Sequence, residues 1–270
     1  AGAGPVGGGH GQGKYAKVTL AAGARQQLSL TYAVLQAGPH TISITVDEVG
    51  GKRLLSAQTR FTVPSLYAAD YGYPVGSVGA CDLWYCEGTY KVSRERPAVK
   101  GTQEGLQPVR LSAARNEFEP IQLVLRPSQG LFGLTATASE LTGPNGARLS
   151  ADNVSICYVY YHHVTHPTDE EGCEGWWPDA LPPLEEPIDV QPNQNQPLWV
   201  TVKVPSGQAP GDYAGKISLS AADWSAEVPL NLHVWDFELP AESSVESGFG
   251  LGAGEIYRYQ NLTSAEDRAK

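Results

Sequence analysis

The chain contains no methionine, and its 19 Lys and Arg are outnumbered by 29 Asp and Glu, giving a formal charge of −10. A deficit of basic residues argues against a nucleic-acid partner held by phosphate neutralisation and against an anionic membrane surface. No run approaches the roughly 20 apolar residues that a helical bilayer span requires. The N-terminus has no basic stretch followed by an apolar one. With no initiator and a Gly-rich lead-in, the sequence reads as a processed product or an excised fragment. Four cysteines in 270 residues (Cys81, Cys86, Cys157, Cys173) are too few for a disulfide-built scaffold. The sequence also lacks a Gly-x-Ser-x-Gly elbow and a phosphate-cradling loop, since its N-terminal glycines follow no strand.

What the chain does have is glycine and proline, 30 and 20 residues, dispersed between short alternating apolar runs. That is the composition of an all-β, turn-rich protein, and the length suits two or more domains. Residues 1–13 read as a flexible linker. Alternating text follows at 14–20, 26–32, 40–46 and 54–63. In the third run Ile42, Ile44 and Val46 share one face and Thr41, Ser43 and Thr45 the other, and Gly50-Gly51 supplies a hairpin turn. Residues 14–65 are therefore expected to form a small or partial β-sandwich, with 66–74 as an aromatic connector.

A larger sandwich is expected over 75–240. Its clearest strands bury Ile121, Leu123 and Leu125, then Leu198, Val200, Val202 and Val204, then Val228, Leu230, Leu232 and Val234. The phrase around Pro210, Gly211 and Tyr213 resembles the tyrosine corner of immunoglobulin-like sandwiches, where the hydroxyl bonds back to nearby backbone. The fold class expected is all-β: two immunoglobulin-like β-sandwich domains followed by the truncated start of a (β/α) barrel at 241–270. In that last segment 247–251 reads as a short buried strand. Ser264, with Asp267 three residues on, reads as a helix cap.

Chemistry is sparser. Asp169-Glu170-Glu171 and Glu185-Glu186 fall in Pro-bounded loops, where a solvated acidic loop competes with the paired carboxyls of glycoside hydrolysis. His162, His163, His166, Asp169 and Cys173 lie close in sequence, but their spacing matches no zinc pattern and no metal or cofactor is expected. Cys81 and Cys86 admit a local bridge or two buried thiols. The aromatics carry more weight, because rings stack on the apolar faces of sugars. Trp176, Trp177 and Trp84, with Glu87 beside the last, are the candidate substrate-binding residues; a Trp pair in Pro-rich text is also what an interdomain seal looks like.

Six phrases in order, DLWYCEGTYKV (82–92), ARNEFEPIQ (114–122), WPDAL (177–181), PLWVTV (197–202), APGDYAG (209–215) and VWDFELP (234–240), resemble the N-terminal region of glycoside hydrolase family 123 and its relatives. The resemblance covers roughly residues 75–251. It implies an N-terminal β-sandwich leading into a (β/α) barrel that hydrolyses N-acetylhexosaminides. There an adjacent Asp-Glu pair on a barrel strand assists the substrate's own acetamide. No acidic pair here sits in that context, so no catalytic residue is assigned. The expectation is a non-catalytic N-terminal portion of a bacterial-type carbohydrate-active enzyme, meeting carbohydrate through the barrel and packing Trp235 and Phe237 against it. The setting expected is secreted, periplasmic or cell-surface. The alternative is a stand-alone carbohydrate-binding or adhesion module.

Overall fold

A computed structural model describes residues 15–29, 34–168, 172–242, 248, 250 and 252–269, the last two by backbone only. The linker at 1–13, the acidic triplet 169–171 and Phe249 lie outside the described residues. In chain order the strands are β1 (Gly38–Asp47), β2 (Arg53–Val63), β3 (Tyr73–Val78), β4 (Cys81–Glu87), β5 (Val109–Arg115), β6 (Phe118–Pro127), β7 (Leu131–Ala138) and β8 (Leu141–Thr142). They continue with β9 (Arg148–Leu149), β10 (Val154–Tyr158), β11 (Tyr161–Val164), β12 (Gly175–Pro178), β13 (Ile188–Val190), β14 (Gln196–Lys203), β15 (Gly211–Ala221) and β16 (Trp224–Glu238). Among the described residues two short α-helices, α1 (Ala253–Tyr259) and α2 (Ala265–Ala269), follow.

Contacts divide the molecule into two units. The smaller one comprises residues 1–71, 91–96 and 162–178. Its β1 and β2 pair antiparallel in the register Ile42 with Thr59, Ile44 with Ala57 and Val46 with Leu55. The alternation therefore forms the hairpin it predicts. Among the described residues of the four runs expected in 14–65, these two are strands, and Tyr15 to Leu20 and Gln26 to Ser29 have no regular structure. The hairpin's apolar face is open, with Ile44 at 54% exposure. Elsewhere in this unit Arg96 is buried and donates from one guanidinium nitrogen to the carbonyls of Ala69 (3.1 Å) and Tyr71 (2.6 Å). Its guanidinium also lies 4.1 Å from the centre of the Tyr71 ring, clipping residues 91–96 to the 69–71 segment.

The larger unit is a β-sandwich. One sheet runs β10-β14-β6-β4-β3; the other runs β13-β7-β15-β16-β5, with β8 and β9 attached to β15. Neighbours are antiparallel except β16 and β5, which pair in parallel. The core lies between the sheets. Leu83, Leu123, Leu125, Leu198, Val200 and Val202 come from one side, and Ile217, Leu219, Val228, Leu230, Leu232 and Val234 from the other. These are the inward sets that period-two alternation assigns, and each fully buried aliphatic contributes about 1.5–3 kcal/mol. The sheet of β4 and β6 is buried on its second face too: Trp84, Cys86, Gln122 and Val124 are all within 2% of full burial. Beyond β16 no strand forms among the described residues of 241–252, so the start of a barrel is not seen. The α2 cap does form: Ser264 Oγ accepts from the Asp267 N–H at 3.0 Å and donates to its carboxylate at 2.5 Å.

Candidate functional site

The four residues singled out from sequence divide between the two units. Trp84 and Glu87 lie on β4 in the larger unit; Trp176 and Trp177 lie on β12 in the smaller. Trp84 is fully buried and offers no ring face to a ligand. Its ring packs on Gly72, where a Cβ would stand 2.8 Å away; Gly72 has φ +98, so both space and backbone require glycine there. Trp84 thus fixes the chain just ahead of Tyr73.

Glu87 stands at the exposed end of the same strand. Because β3 and β4 pair Tyr73 with Tyr85, and side chains two residues apart share a face, Tyr73, Tyr85 and Glu87 project together. The Tyr73 hydroxyl donates to Glu87 Oε1 at 3.0 Å, and the Tyr73 and Tyr85 rings lie 5.0 Å apart at 31°. Hydrogen bonding to Glu87, then its negative charge, pushes the Tyr73 phenol above the ordinary tyrosine range, with Tyr85 and Tyr90 adding to the effect. The loop after Glu87 is held from beneath. Gln122, 2% exposed, donates from its amide nitrogen to the carbonyls of Glu87 (3.3 Å), Gly88 (3.4 Å) and Tyr90 (2.8 Å). Gly88 sits where a Cβ would be 2.9 Å from the Trp199 ring, so this loop lies hard against β14.

On β12, Trp176 is 40% exposed, with the Arg94 guanidinium 4.6 Å over its ring and His163 at 4.8 Å and 49°. Its neighbour Trp177 points the other way, and its indole N–H donates to the Cys173 carbonyl at 2.7 Å. The pair therefore does not form one continuous stacking surface.

The acids that sequence reading weighed for hydrolysis are joined by others it passed over. Glu117 accepts from the Ala114 N–H at 2.6 Å, Asp189 from the Gly133 N–H at 2.9 Å, and Glu238 from Ser206 Oγ at 2.5 Å and the Gly207 N–H at 2.9 Å. Each of these fastens a turn. Glu119 is held above the usual carboxylate range by burial and then by the charge of Glu117. All four cysteines are free thiols. Cys81 and Cys86, five residues apart on one strand, face opposite sides of the sheet, which precludes a local bridge. Among the described residues no group of three or more His, Cys, Asp or Glu assembles as a metal-ligand set. Sequence reading missed Tyr73, Tyr90 and Gln122 around Glu87, and Arg94 and His163 around Trp176. Tyr73 was read as part of the 66–74 connector; the structure places it at the start of β3, and its pairing with Tyr85 depends on register.

Comparison with known proteins bears on the larger unit. Residues 88–221 match the family described as the glycoside hydrolase 123 N-terminal domain. A comparison with curated proteins finds no match. Among solved structures the chain is similar to a family 123 glycoside hydrolase from Clostridium perfringens, analysed for glycolipid glycan hydrolysis. The identity is 20% and the TM-score 0.50, over 60% of this chain and 29% of that one. It also aligns with the CooA pilin subunit from enterotoxigenic Escherichia coli at 12% identity and a TM-score of 0.30, over 60% of this chain and all of that one. The chain thus spans under a third of the length of the hydrolase it matches, and that likeness is one of fold. Over residues 88–221 the sandwich is similar to the glycoside hydrolase 123 N-terminal domain family.

Proposed function

We propose that this chain is the non-catalytic N-terminal support of a carbohydrate-active enzyme, and that its sandwich braces a downstream barrel which hydrolyses N-acetylhexosaminides. The family match carries this reading. One feature of the sandwich supports it. Where β16 runs out of the core, Trp235, Phe237 and Leu239 follow in alternation on one face, 48%, 54% and 37% exposed. The segment is pinned, since the Leu239 N–H donates to the Arg115 carbonyl at 2.9 Å and Asn116 Nδ2 donates to the Leu239 carbonyl at 3.0 Å. An apolar row held rigid at the exit of a domain suits a following domain packed against it. Acids that fasten turns, as Glu117, Asp189 and Glu238 do, are committed to the fold and not to a substrate.

The proposal places carbohydrate chiefly at the barrel, whose active site would lie at the C-terminal ends of its strands. It also places the protein outside the cytoplasm, where glycan polymers are met. The test is to measure the stability of a longer protein carrying the sandwich and the barrel. Trp235→Ala and Phe237→Ala should lower the melting temperature of that protein and leave this chain's unchanged. Equal effects on both would refute the docking role.

A further inference from the structure

We infer that one end of the larger sandwich carries a binding cleft for a uronate, a hydroxylated carboxylate of monosaccharide size. The cleft has a volume of about 230 Å³, and Ala80, Asp82, Lys100, Arg126, Ser128 and Asn193 are among the residues that line it. That is smaller than the roughly 300–1,000 Å³ of pockets for drug-sized ligands, and it suits a single sugar ring. Sheet register builds the charged wall. Ser77 on β3 and Arg126 on β6 both stand opposite Asp82 on β4, so the three side chains form a row on one face of the sheet. Ser77 Oγ donates to Asp82 Oδ1 at 2.6 Å, and Lys100 Nζ meets Asp82 Oδ2 at 3.1 Å. The rest of the rim is tied through backbone. The Ser128 N–H and hydroxyl donate to the Ala80 carbonyl at 2.7 and 3.1 Å, and the Asn193 N–H donates to the Pro127 carbonyl at 2.7 Å. These bonds join the β3–β4 turn, the β6–β7 turn and the loop before β14, so the cleft is ordered before a ligand arrives.

Among the lining side chains, Lys100 and Arg126 stand against the one carboxylate of Asp82, in a chain whose overall charge is −10. Exposed charges beyond about 8 Å are largely screened at physiological salt, so the local positive surplus governs what the cleft attracts. A ligand carboxylate gains charge-assisted hydrogen bonds from Lys100 and from the five-donor fork of Arg126. Asp82 then selects within the anions. Each of its oxygens has one partner, Ser77 or Lys100, and keeps a second acceptor position for a sugar hydroxyl. An anion without hydroxyls to donate meets Asp82 as repulsion alone, so a sugar acid fits better than phosphate. All of these residues belong to the larger unit, and the inference does not depend on the support role proposed above.

Titrate the intact 270-residue chain with glucuronate, galacturonate, glucuronamide, glucose and inorganic phosphate, following binding by calorimetry and ligand-observed NMR. At least one uronate should bind saturably with a dissociation constant of about 1 mM at low salt, and more weakly as sodium chloride is added. Glucuronamide, nearly isosteric and uncharged, and phosphate should each bind at least about tenfold more weakly. Lys100→Ala, at a side chain 75% exposed, should weaken uronate binding about tenfold while the melting temperature holds. Arg126→Lys keeps the charge and loses the fork, and should cost less than Arg126→Gln. Absence of saturable binding by either uronate, binding of glucuronamide or phosphate as tight as that of the uronate, or binding indifferent to Lys100→Ala and Arg126→Gln would each overturn the assignment.

Discussion

The hydroxyl of Tyr213 donates to the carbonyl of Ala209, four residues upstream, at 2.7 Å, and it accepts from Gln208 Nε2 at 2.8 Å. The ring itself is 1% exposed and lies where a Cβ on Gly143 would come within 2.3 Å of it. One side chain therefore ties the turn before β15 to the β8 region and to the core.

Tyr213→Phe removes both bonds while keeping the ring, and should destabilise the sandwich by about 1–2 kcal/mol. Gly143→Ala drives a methyl into the same ring and should cost about as much or more through overpacking. Urea unfolding of the two single variants and the double checks this. Because both act on one contact, the double variant should fall short of the sum.

Much of this sandwich was legible in the sequence because its inner faces alternate strictly. Leu198, Val200, Val202 and Val204 are all fully buried, as are Val228 and Leu230. The bond made by Tyr213 and the Ser264 cap were legible because turn and cap chemistry is local. Trp84 was misplaced for a definite reason. It was read as a stacking aromatic, but it lies on β4 in a sheet buried on both faces, and burial of a second face depends on distant chain. The cluster around Glu87 depends on the β3–β4 register, which shifts between Pro74 and Gly76, and no local pattern encodes that. At 14–32 alternation suggested two strands, and Tyr15–Leu20 shows none, because period two without a packing partner does not make a strand.

Trp84→Ala should open a cavity in a fully packed site and cost about 3–5 kcal/mol. Trp84→Phe should cost less. Circular dichroism melts rank the two, and near-equal losses would show that ring volume is not what Trp84 supplies.

Burial pushes the Cys81 thiol up from near 9 to about 12, with a smaller push from Asp82, against a hydrogen bond from the Arg126 backbone. The folded state therefore keeps a proton that the unfolded state sheds. Its contribution to stability is fully present below about pH 9 and is lost as pH climbs toward 12, at about 1.4 kcal/mol per unit. Cys81→Ala should flatten the stability–pH curve in that window. Native Cys81 should also resist iodoacetamide at pH 8 and react promptly in denaturant.

Tyr73 should ionise at higher pH than an ordinary tyrosine because Glu87 accepts its proton-bearing hydroxyl. Difference absorbance between the protein and Tyr73→Phe isolates its titration. Glu87→Gln removes the charge and should return that midpoint toward the ordinary value; an unmoved midpoint would mean the two side chains do not meet in solution.

The support role is tested most directly by assaying this chain on an aryl N-acetyl-β-galactosaminide beside a longer protein in which a barrel follows the sandwich. The account predicts release of the aryl group by the longer protein and none above buffer by the 270 residues alone. Turnover by these 270 residues that disappears on a single change such as Glu119→Gln would contradict it.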